Sequence, residues 1–360
     1  MSILFDSQVP DYWKEHLEEK IAEINKLQQK DSFSFVVMTD MHYPRNVGKI
    51  TPLLAKEIMK HTERTNFALC LGDVQTSGCY DTKEEILEEN KLIAQMFAPI
   101  KDRLLFTEGN HDGSYGWLTE EQRAKEPNRW YAYVNNLTPQ EIREEFYDRL
   151  SSLEEATFDR GGANGYYIDD EVNKVRFIML NSCFNEYQLQ EDGTPLYSKM
   201  RIYRFGQEQF DLTIHALGTM PEDDWSVVVG SHCPLDQEFQ EDGKLMIALL
   251  QAYKNKTEFS GSCVPRYGSV SVNCDFSDSK GELIGYFYGH VHYDGNRVIK
   301  NVPYISTTCD VFEDMILPLR KKRIAGTTTE QSFDVVTVDR ENRMIHITKI
   351  GLGIDRTINY

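Results

Sequence analysis

Short runs of apolar residues recur along this chain, and most of them are followed within a few residues by aspartate, asparagine or histidine. The runs have the length of buried strands rather than of helices. They cover residues 33–38, 67–71, 104–106, 175–180, 227–229 and 284–288. Helical patterns lie between them, over residues 51–64, 82–97, 139–150, 207–217 and 243–253. This alternation predicts an α/β fold, in which loops at the carboxyl ends of the strands bring distant polar residues together.

The polar residues after these runs form short motifs in a fixed order. The motifs are Asp40-Met41-His42, Gly72-Asp73, Gly109-Asn110-His111-Asp112, Gly230-Ser231-His232 and Gly289-His290-Val291-His292. They offer imidazole nitrogens, carboxylate oxygens and an amide oxygen without a thiolate, which suits two borderline or hard divalent metals. Two such metals can activate water and neutralise a phosphate, so the motifs predict a two-metal phosphoester hydrolase.

The spacing within the motifs carries a geometric expectation. In extended backbone, residues i and i+2 point the same way, so Asp40 with His42, and His290 with His292, are each expected to present two ligands to one side. The glycines that directly precede three of the ligands are expected to leave room for backbone beside a crowded metal pair.

Taken in order, the motifs resemble those of the calcineurin-like metallophosphoesterase family over roughly residues 33–350. The resemblance implies a four-layer α/β/β/α sandwich with two mixed sheets and a dinuclear metal site at the C-terminal ends of the strands. It implies ligands to the first metal at Asp40, His42 and His292, ligands to the second at Asn110, His232 and His290, and a bridge at Asp73. It also implies that His111 does not bind metal but assists the leaving group, with Asp112 orienting it.

The implied cofactors are two divalent or mixed-valence metal ions, and manganese, iron and zinc all suit mixed nitrogen and oxygen ligands. A metal ion can lower the pKa of a bound water from 15.7 to about 7, which makes hydroxide available at neutral pH. That hydroxide would attack phosphorus in line with the leaving oxygen, while the metals neutralise the other phosphate oxygens.

The residues after Gly72-Asp73 distinguish branches of the family. The segment Gly72-Asp73-Val74-Gln75-Thr76-Ser77-Gly78 lacks the phosphate-clamping arginine of protein serine/threonine phosphatases, whose motif resembles G-D-x-V-D-R-G. It also has Thr76 where purple acid phosphatases carry tyrosine. Its spacing is more similar to the bacterial branch that contains cyclic-nucleotide and glycerophosphodiesterases. This favours a small-molecule phosphodiester as substrate, with a phosphomonoesterase or a non-catalytic metal-binding scaffold as the alternatives.

Charge and composition disfavour some classes of binding partner. The formal net charge of -18 disfavours nucleic acid, because a polyanion is repelled unless basic residues are concentrated in one groove. No apolar run reaches the length of a membrane span, and the N-terminus lacks the features of a secretory signal, so a cytoplasmic protein is expected. The 7 cysteines are scattered without C-x-x-C spacing, and we expect most of them to be small buried apolar residues.

Domain boundaries follow from the same patterns. Residues 1–32 are expected to form an N-terminal amphipathic helix that packs against its own domain. Residues 33–350 are expected to form the metallophosphoesterase domain, with an insertion at 113–165 and a basic loop at 309–332. Residues 351–360 are expected to form a C-terminal tail. The apolar stripe of the helix consists of Trp13, Leu17, Ile21, Ile24 and Leu27.

Two further features concern the end of the chain and the substrate pocket. Residues 333–338 and 344–350 predict a β-hairpin and therefore a mixed sheet. Loops beside the first and third motifs carry side chains that could shape a pocket, although packing is the more common use of such aromatic residues. These side chains are Tyr43, Arg45, Asn46, Tyr115, Trp117, Trp130 and Tyr131.

Overall fold

The computed structural model describes most of the chain. The described residues are 3–43, 49–75, 83–113, 137–184, 187, 188, 191, 196, 197, 199, 202–238, 240–266, 268–308, 310 and 323–360. Several expectations fall outside them, including much of the two predicted insertions. Those outside the described residues include Arg45, Asn46, Thr76, Tyr115, Trp117, Trp130, Tyr131 and Arg320 to Lys322.

The predicted helices are confirmed, with small shifts at their ends. In the described part of the chain they are α1 Asp11–Leu27, α2 Thr51–His61, α3 Lys83–Phe97, α4 Pro139–Ile142, α5 Gln207–Gly218 and α6 Gly243–Asn255. Helix α4 continues through a π-helical turn, Arg143–Tyr147, into Asp148–Leu150. It begins with a capping box, in which Thr138 and Glu141 each accept a hydrogen bond from the other's backbone N–H.

The strands form two large mixed sheets. The strands are β1 Ser32–Met38, β2 Thr65–Cys70, β3 Leu104–Phe106, β4 Thr157–Phe158, β5 Tyr166–Asp170, β6 Val175–Leu180, β7 Ser226–Ser231, β8 Glu258–Cys263, β9 Val270–Asp275, β10 Glu282–Tyr288, β11 Gly295–Ile299, β12 Val302–Ser306, β13 Ser332–Asp339, β14 Met344–Gly351 and β15 Arg356–Asn359. The first sheet has the order β15-β14-β13-β1-β2-β3 and the second β11-β12-β10-β7-β6-β5-β4, while β8 pairs with β9. Strands β1, β2 and β3 are parallel, as are β6, β7, β10 and β12. Their carboxyl ends therefore meet at one edge of each sheet.

The two sheets face each other across the main core. Phe35 of β1 makes edge-to-face contacts with Phe177 of β6 and Phe287 of β10, with ring centroids 5.5 and 5.2 Å apart. Helices α1 and α2 pack on the outer face of the first sheet. A second apolar core lies between the other sheet and helices α5 and α6. The expected four-layer sandwich with two mixed sheets is confirmed.

Both ends of the described chain pack onto the first sheet. The side chains of Trp13, Leu17, Ile21 and Ile24 are buried, and α1 packs against β13 and β14. Residues 351–360, expected as a tail, instead include β15, which pairs antiparallel with β14. Strands β8, β11 and β15 lacked a sequence signal because much of each is exposed. None of the described helices has both the length and the apolar character needed to cross a membrane.

Candidate metal centre

The loops after β1, β2, β3, β7 and β10 converge at one end of the sandwich. Backbone hydrogen bonds join them, since Asp40 N–H donates to the Gly72 carbonyl and His42 N–H to the Asp73 carbonyl, each at 2.9 Å. The two sheets are joined as well, because the His290 N–H donates to Asp40 Oδ2 at 2.9 Å. The parallel strands thus bring all seven predicted metal ligands into one cluster.

One part of the cluster consists of Asp40, His42 and His292, which we call the first metal group. His292 Nε2 lies 2.9 Å from Asp40 Oδ1 and 3.2 Å from His42 Nε2. His42 Nε2 lies 3.7 Å from the same carboxylate oxygen. The other oxygen, Asp40 Oδ2, accepts a hydrogen bond from the Thr39 hydroxyl at 2.6 Å, which fixes the carboxylate plane.

The other part consists of Asn110, His232 and His290, which we call the second metal group. Asn110 Oδ1 lies 2.9 Å from both His232 Nε2 and His290 Nδ1, and the two ring nitrogens are 3.3 Å apart. His232 Nδ1 lies 2.7 Å from the Leu71 carbonyl oxygen. Because a carbonyl can only accept, Nδ1 carries a hydrogen, and in the neutral ring the lone pair of Nε2 faces the group.

Asp73 lies between the two metal groups. Its Oδ2 is 3.1 Å from His232 Nε2 and 3.9 Å from His42 Nε2. Its Oδ1 accepts the backbone N–H of His111 at 2.7 Å. This position suits a carboxylate that bridges two ions, and the bridging role itself stays a prediction.

The two candidate ligand pairs, Asp40 with His42 and His290 with His292, do not lie on extended backbone, so the expectation based on extended i and i+2 positions was wrong. Asp40, His42, Asp73, His290 and His292 all have positive φ values, of 53°, 48°, 54°, 66° and 56°. Turns through the left-handed region, which costs a non-glycine residue energy, bring each ligand pair together after its strand has ended.

The glycines before the ligands do provide steric room, as expected. A Cβ atom at Gly109 would collide with the Asp73 carboxylate and backbone nitrogen, and one at Gly289 would collide with Thr39 Oγ1. Gly72 has a φ of 88°, and a Cβ atom there would meet the Gly109 backbone.

The donor set fits a pair of divalent cations. In the second metal group, Nε2 of a neutral His232 and Oδ1 of Asn110 are both acceptors, 2.9 Å apart. Such a contact is repulsive unless a cation or a proton lies between the atoms. Nitrogen and oxygen ligands of this kind bind manganese, iron or zinc, so the residues fit the metals by chemistry as well as by position.

The charges inside the cluster also favour cations. Burial opposes ionisation of Asp40 and Asp73, but His292 beside the first and His232 beside the second lower the pKa of both carboxyls below the usual value. Burial lowers the pKa of His290 to about 4, which keeps its ring neutral and able to bind metal. For His232, Asp73 outweighs burial and raises the pKa, and a bound metal would compete with that proton.

His111 and Asp112 lie beside the metal groups. The His111 ring contacts the His42 ring edge-on, at 4.9 Å between centroids, and burial lowers its pKa to about 3. The Asp112 carboxylate accepts backbone N–H bonds from Asp73 and Gly109, both at 2.9 Å, and from Gln75 at 3.1 Å. Asp112 therefore ties the second and third motifs together. Its expected action on the His111 ring stays a prediction.

A polar flank next to the third motif was not predicted. Glu108, which directly precedes Gly109, forms an ion pair with Lys199 and accepts a hydrogen bond from Asn181 Nδ2 at 2.7 Å. These three side chains line a small cavity that Tyr187 also borders. Asn181 directly follows β6, whereas Lys199 lies in a polar segment without a sequence signal.

The chain is similar to known proteins in sequence pattern and in fold. The sequence model of the calcineurin-like phosphoesterase family matches residues 33–294. The solved structure of PhoD is similar with a TM-score of 0.50 and 9% sequence identity, covering 91% of this chain and 68% of that chain. A putative 5'-nucleotidase from Staphylococcus aureus, solved with alpha-ketoglutarate, has a TM-score of 0.41 and 14% identity, covering 91% of this chain and 54% of that chain. A comparison with curated proteins finds no match.

Proposed function

Because the chain belongs to the calcineurin-like phosphoesterase family and is therefore a phosphoester hydrolase, we propose that it hydrolyses a small-molecule phosphodiester at two metal ions. The observation that carries the proposal is the convergence of the two metal groups on either side of Asp73. Asp40, His42 and His292 would hold one ion, Asn110, His232 and His290 the other, and Asp73 both. When bound, the ions would lower the pKa of a water and neutralise the phosphate.

The protein's own contribution begins with a fixed spacing of the ligands. Asp112 holds the backbone of Asp73, Gly109 and Gln75 with one carboxylate, so the bridging residue and the Asn110 loop move together. This arrangement supports a positioning role for Asp112. Pre-set ligand spacing matters because a metal pair stabilises an in-line displacement only at a limited separation.

His111 is proposed to assist the leaving oxygen. Its backbone N–H is held by Asp73 Oδ1, so the residue cannot move independently of the proposed bridging ligand. Burial, which lowers its pKa to about 3, keeps the imidazole neutral at pH 7. A neutral imidazole would assist by donating an N–H hydrogen bond to the departing oxygen. It would not place a positively charged imidazolium beside that oxygen.

The polar flank supports a diester over a monoester. A diester carries a second organic group that must lie beside the metals, and the cavity lined by Glu108, Asn181, Lys199 and Tyr187 includes a residue only two positions before Asn110. The charges of Glu108 and Lys199 compensate each other in their ion pair. A lining of this kind suits an uncharged group with hydrogen-bonding atoms better than a second phosphate.

The test is a panel of para-nitrophenyl monoester and bis-para-nitrophenyl diester substrates, run with manganese, iron(II) and zinc. We expect a higher kcat/KM for the diester. Lys199→Ala is expected to lower kcat/KM for the diester more than kcat/KM for the monoester, because the substitution removes one side of the cavity. Lys244→Ala, on an exposed position of α6, is the matched control. A monoester preference that is unchanged in Lys199→Ala would favour the phosphomonoesterase alternative.

A further inference from the structure

A buried thiol lies beside the second metal group. Cys233 directly follows His232, and its Sγ lies within 4.8 Å of ring nitrogens of both His232 and His290. Its side chain is fully buried. The sequence motifs offered only nitrogen and oxygen ligands, and the cysteines were expected to be small apolar residues, so this placement was not foreseen.

The backbone around Cys233 is held in place. The Cys233 N–H donates to Ser182 Oγ at 2.9 Å, and its carbonyl accepts from the Tyr286 hydroxyl at 2.8 Å. The backbone of residue 233, in the loop after β7, is therefore held by the loop after β6 and by strand β10.

The distances are compatible with one shared ion. Zinc binds sulfur at about 2.3 Å and histidine nitrogen at about 2.1 Å in tetrahedral geometry, so a sulfur and a nitrogen on one ion are roughly 3.6 Å apart. The candidate ligand atoms of Cys233, His232 and His290 all lie within 4.8 Å of one another. Binding of one ion would draw the thiol toward the two histidines.

A second thiol supports the first. Cys183 Sγ lies 3.7 Å from Cys233 Sγ, in the loop that follows the neighbouring strand β6. At this distance, the Cys183 S–H can donate a weak hydrogen bond to a metal-bound sulfur. Such partners of a ligand tune a metal site without binding the ion themselves.

We propose that Cys233 supplies a sulfur ligand to the ion held by His232 and His290. The sulfur–metal bond forms as the thiol proton leaves to solvent. A sulfur ligand biases this position toward zinc, iron(II) or cobalt(II) and against manganese or magnesium, because thiolates favour the softer ions. The proposal rests on the metal assignment in the proposed function and adds a ligand and a metal preference to it.

The experiment titrates metal-stripped protein with cobalt(II) and records its absorption spectrum. Wild type is expected to show the visible bands of protein-bound cobalt and a near-ultraviolet sulfur-to-cobalt charge-transfer band. Cys233→Ser is expected to lose the charge-transfer band while it keeps bound cobalt. Cys183→Ser, the matched control, is expected to keep the band.

Three outcomes overturn the proposal. They are bound cobalt without a charge-transfer band in wild type, a band that persists in Cys233→Ser, and a band lost only in Cys183→Ser. If Cys233→Ser does not fold, X-ray absorption of zinc-loaded wild type decides, because a sulfur neighbour is either present or absent. Failure of wild type to bind any cobalt would instead count against the proposed function itself.

Discussion

Two clusters of buried charge lie at the same end of the sandwich and differ in how they are neutralised. In the metal centre, the carboxylates of Asp40 and Asp73 are surrounded by histidines and an asparagine. In the second, which we call the ion cluster, Lys349 Nζ lies 2.8 Å from Asp294 and 2.7 Å from Asp334, and Arg356 lies 2.5 Å from Asp334. The ion cluster contains its own cations, whereas the ligands of the metal centre are arranged for cations from solution.

The two clusters are linked through one loop. Asp294 follows His292 by two residues, so the segment that carries two proposed metal ligands is attached to the ion cluster. Lys349 and Asp334 are 1% and 0% exposed as side chains, and a buried charge that loses its partner is costly. We therefore interpret the ion cluster as a rigid support and the metal centre as the reactive part.

The largest effect is expected when the shared ligand of the metal centre is removed. Asp73→Ala should abolish phosphoester hydrolysis and reduce bound metal below two ions per chain, because both metal groups lose a common carboxylate. Metal analysis and turnover measure this, with Asp223→Ala on an exposed turn as control. Chelation of wild type should also abolish activity. Full activity in metal-stripped Asp73→Ala would show that the dinuclear interpretation is wrong.

The next effect separates chemistry from metal binding. His111→Gln should leave two metals bound but lower turnover by about 10²- to 10⁴-fold for esters with poor leaving groups. The loss should be smaller for para-nitrophenyl esters, whose leaving group needs little assistance. His346→Gln, outside the metal centre, serves as control. Unchanged turnover across the leaving-group series would remove His111 from the mechanism.

The third effect concerns the ion cluster. Lys349→Met should lower the free energy of unfolding by about 3 to 5 kcal/mol, since it leaves two carboxylates with Arg356 as their remaining cation. Lys174→Met removes an exposed pair with Asp224 and should cost less than about 1 kcal/mol. Denaturant unfolding of metal-stripped protein measures both. Equal costs for the two variants would contradict the view that the ion cluster is a structural support.

The sequence predicted the parts of the metal centre that depend on local patterns. Buried parallel strands leave apolar runs, and the proposed ligands follow those runs, so the strands and the residues that cluster after them could be predicted together. The backbone conformation at Asp40 and His42 could not be predicted, because the same short motif is compatible with an extended strand and with a left-handed turn. The ion cluster could not be predicted either, since Asp294 and Lys349 meet only through the pairing of the first sheet and the loop after β10.

The surroundings of Cys233 and the edge strand β15 could not be predicted from the sequence either, because both depend on tertiary structure. Cys233 has the sequence signature of an ordinary buried cysteine, and only the fold brings its sulfur near His290. Strand β15 has alternate exposed residues and no apolar run, so the residues appeared to be a tail. These residues form a strand because they pair with β14, and this pairing depends on the tertiary structure.

The smallest expected effect is a pH dependence of stability caused by His16, a partly buried side chain that accepts a backbone hydrogen bond. His16 of α1 contacts the Trp13 ring, and its Nε2 accepts the Gly351 N–H at 3.2 Å. Burial, together with Lys20, lowers the pKa of His16 below 6.5, so the unfolded chain binds more protons as pH falls below that value. The contribution of the neutral His16 side chain to the free energy of unfolding should be fully present above pH 6.5. It should decrease as the pH falls through the folded-state pKa of His16. His16→Gln keeps an acceptor that does not titrate, and its melting temperature should fall less between pH 7 and pH 5 than that of wild type. An identical fall in both proteins would mean that protonation elsewhere in the fold causes the acid sensitivity.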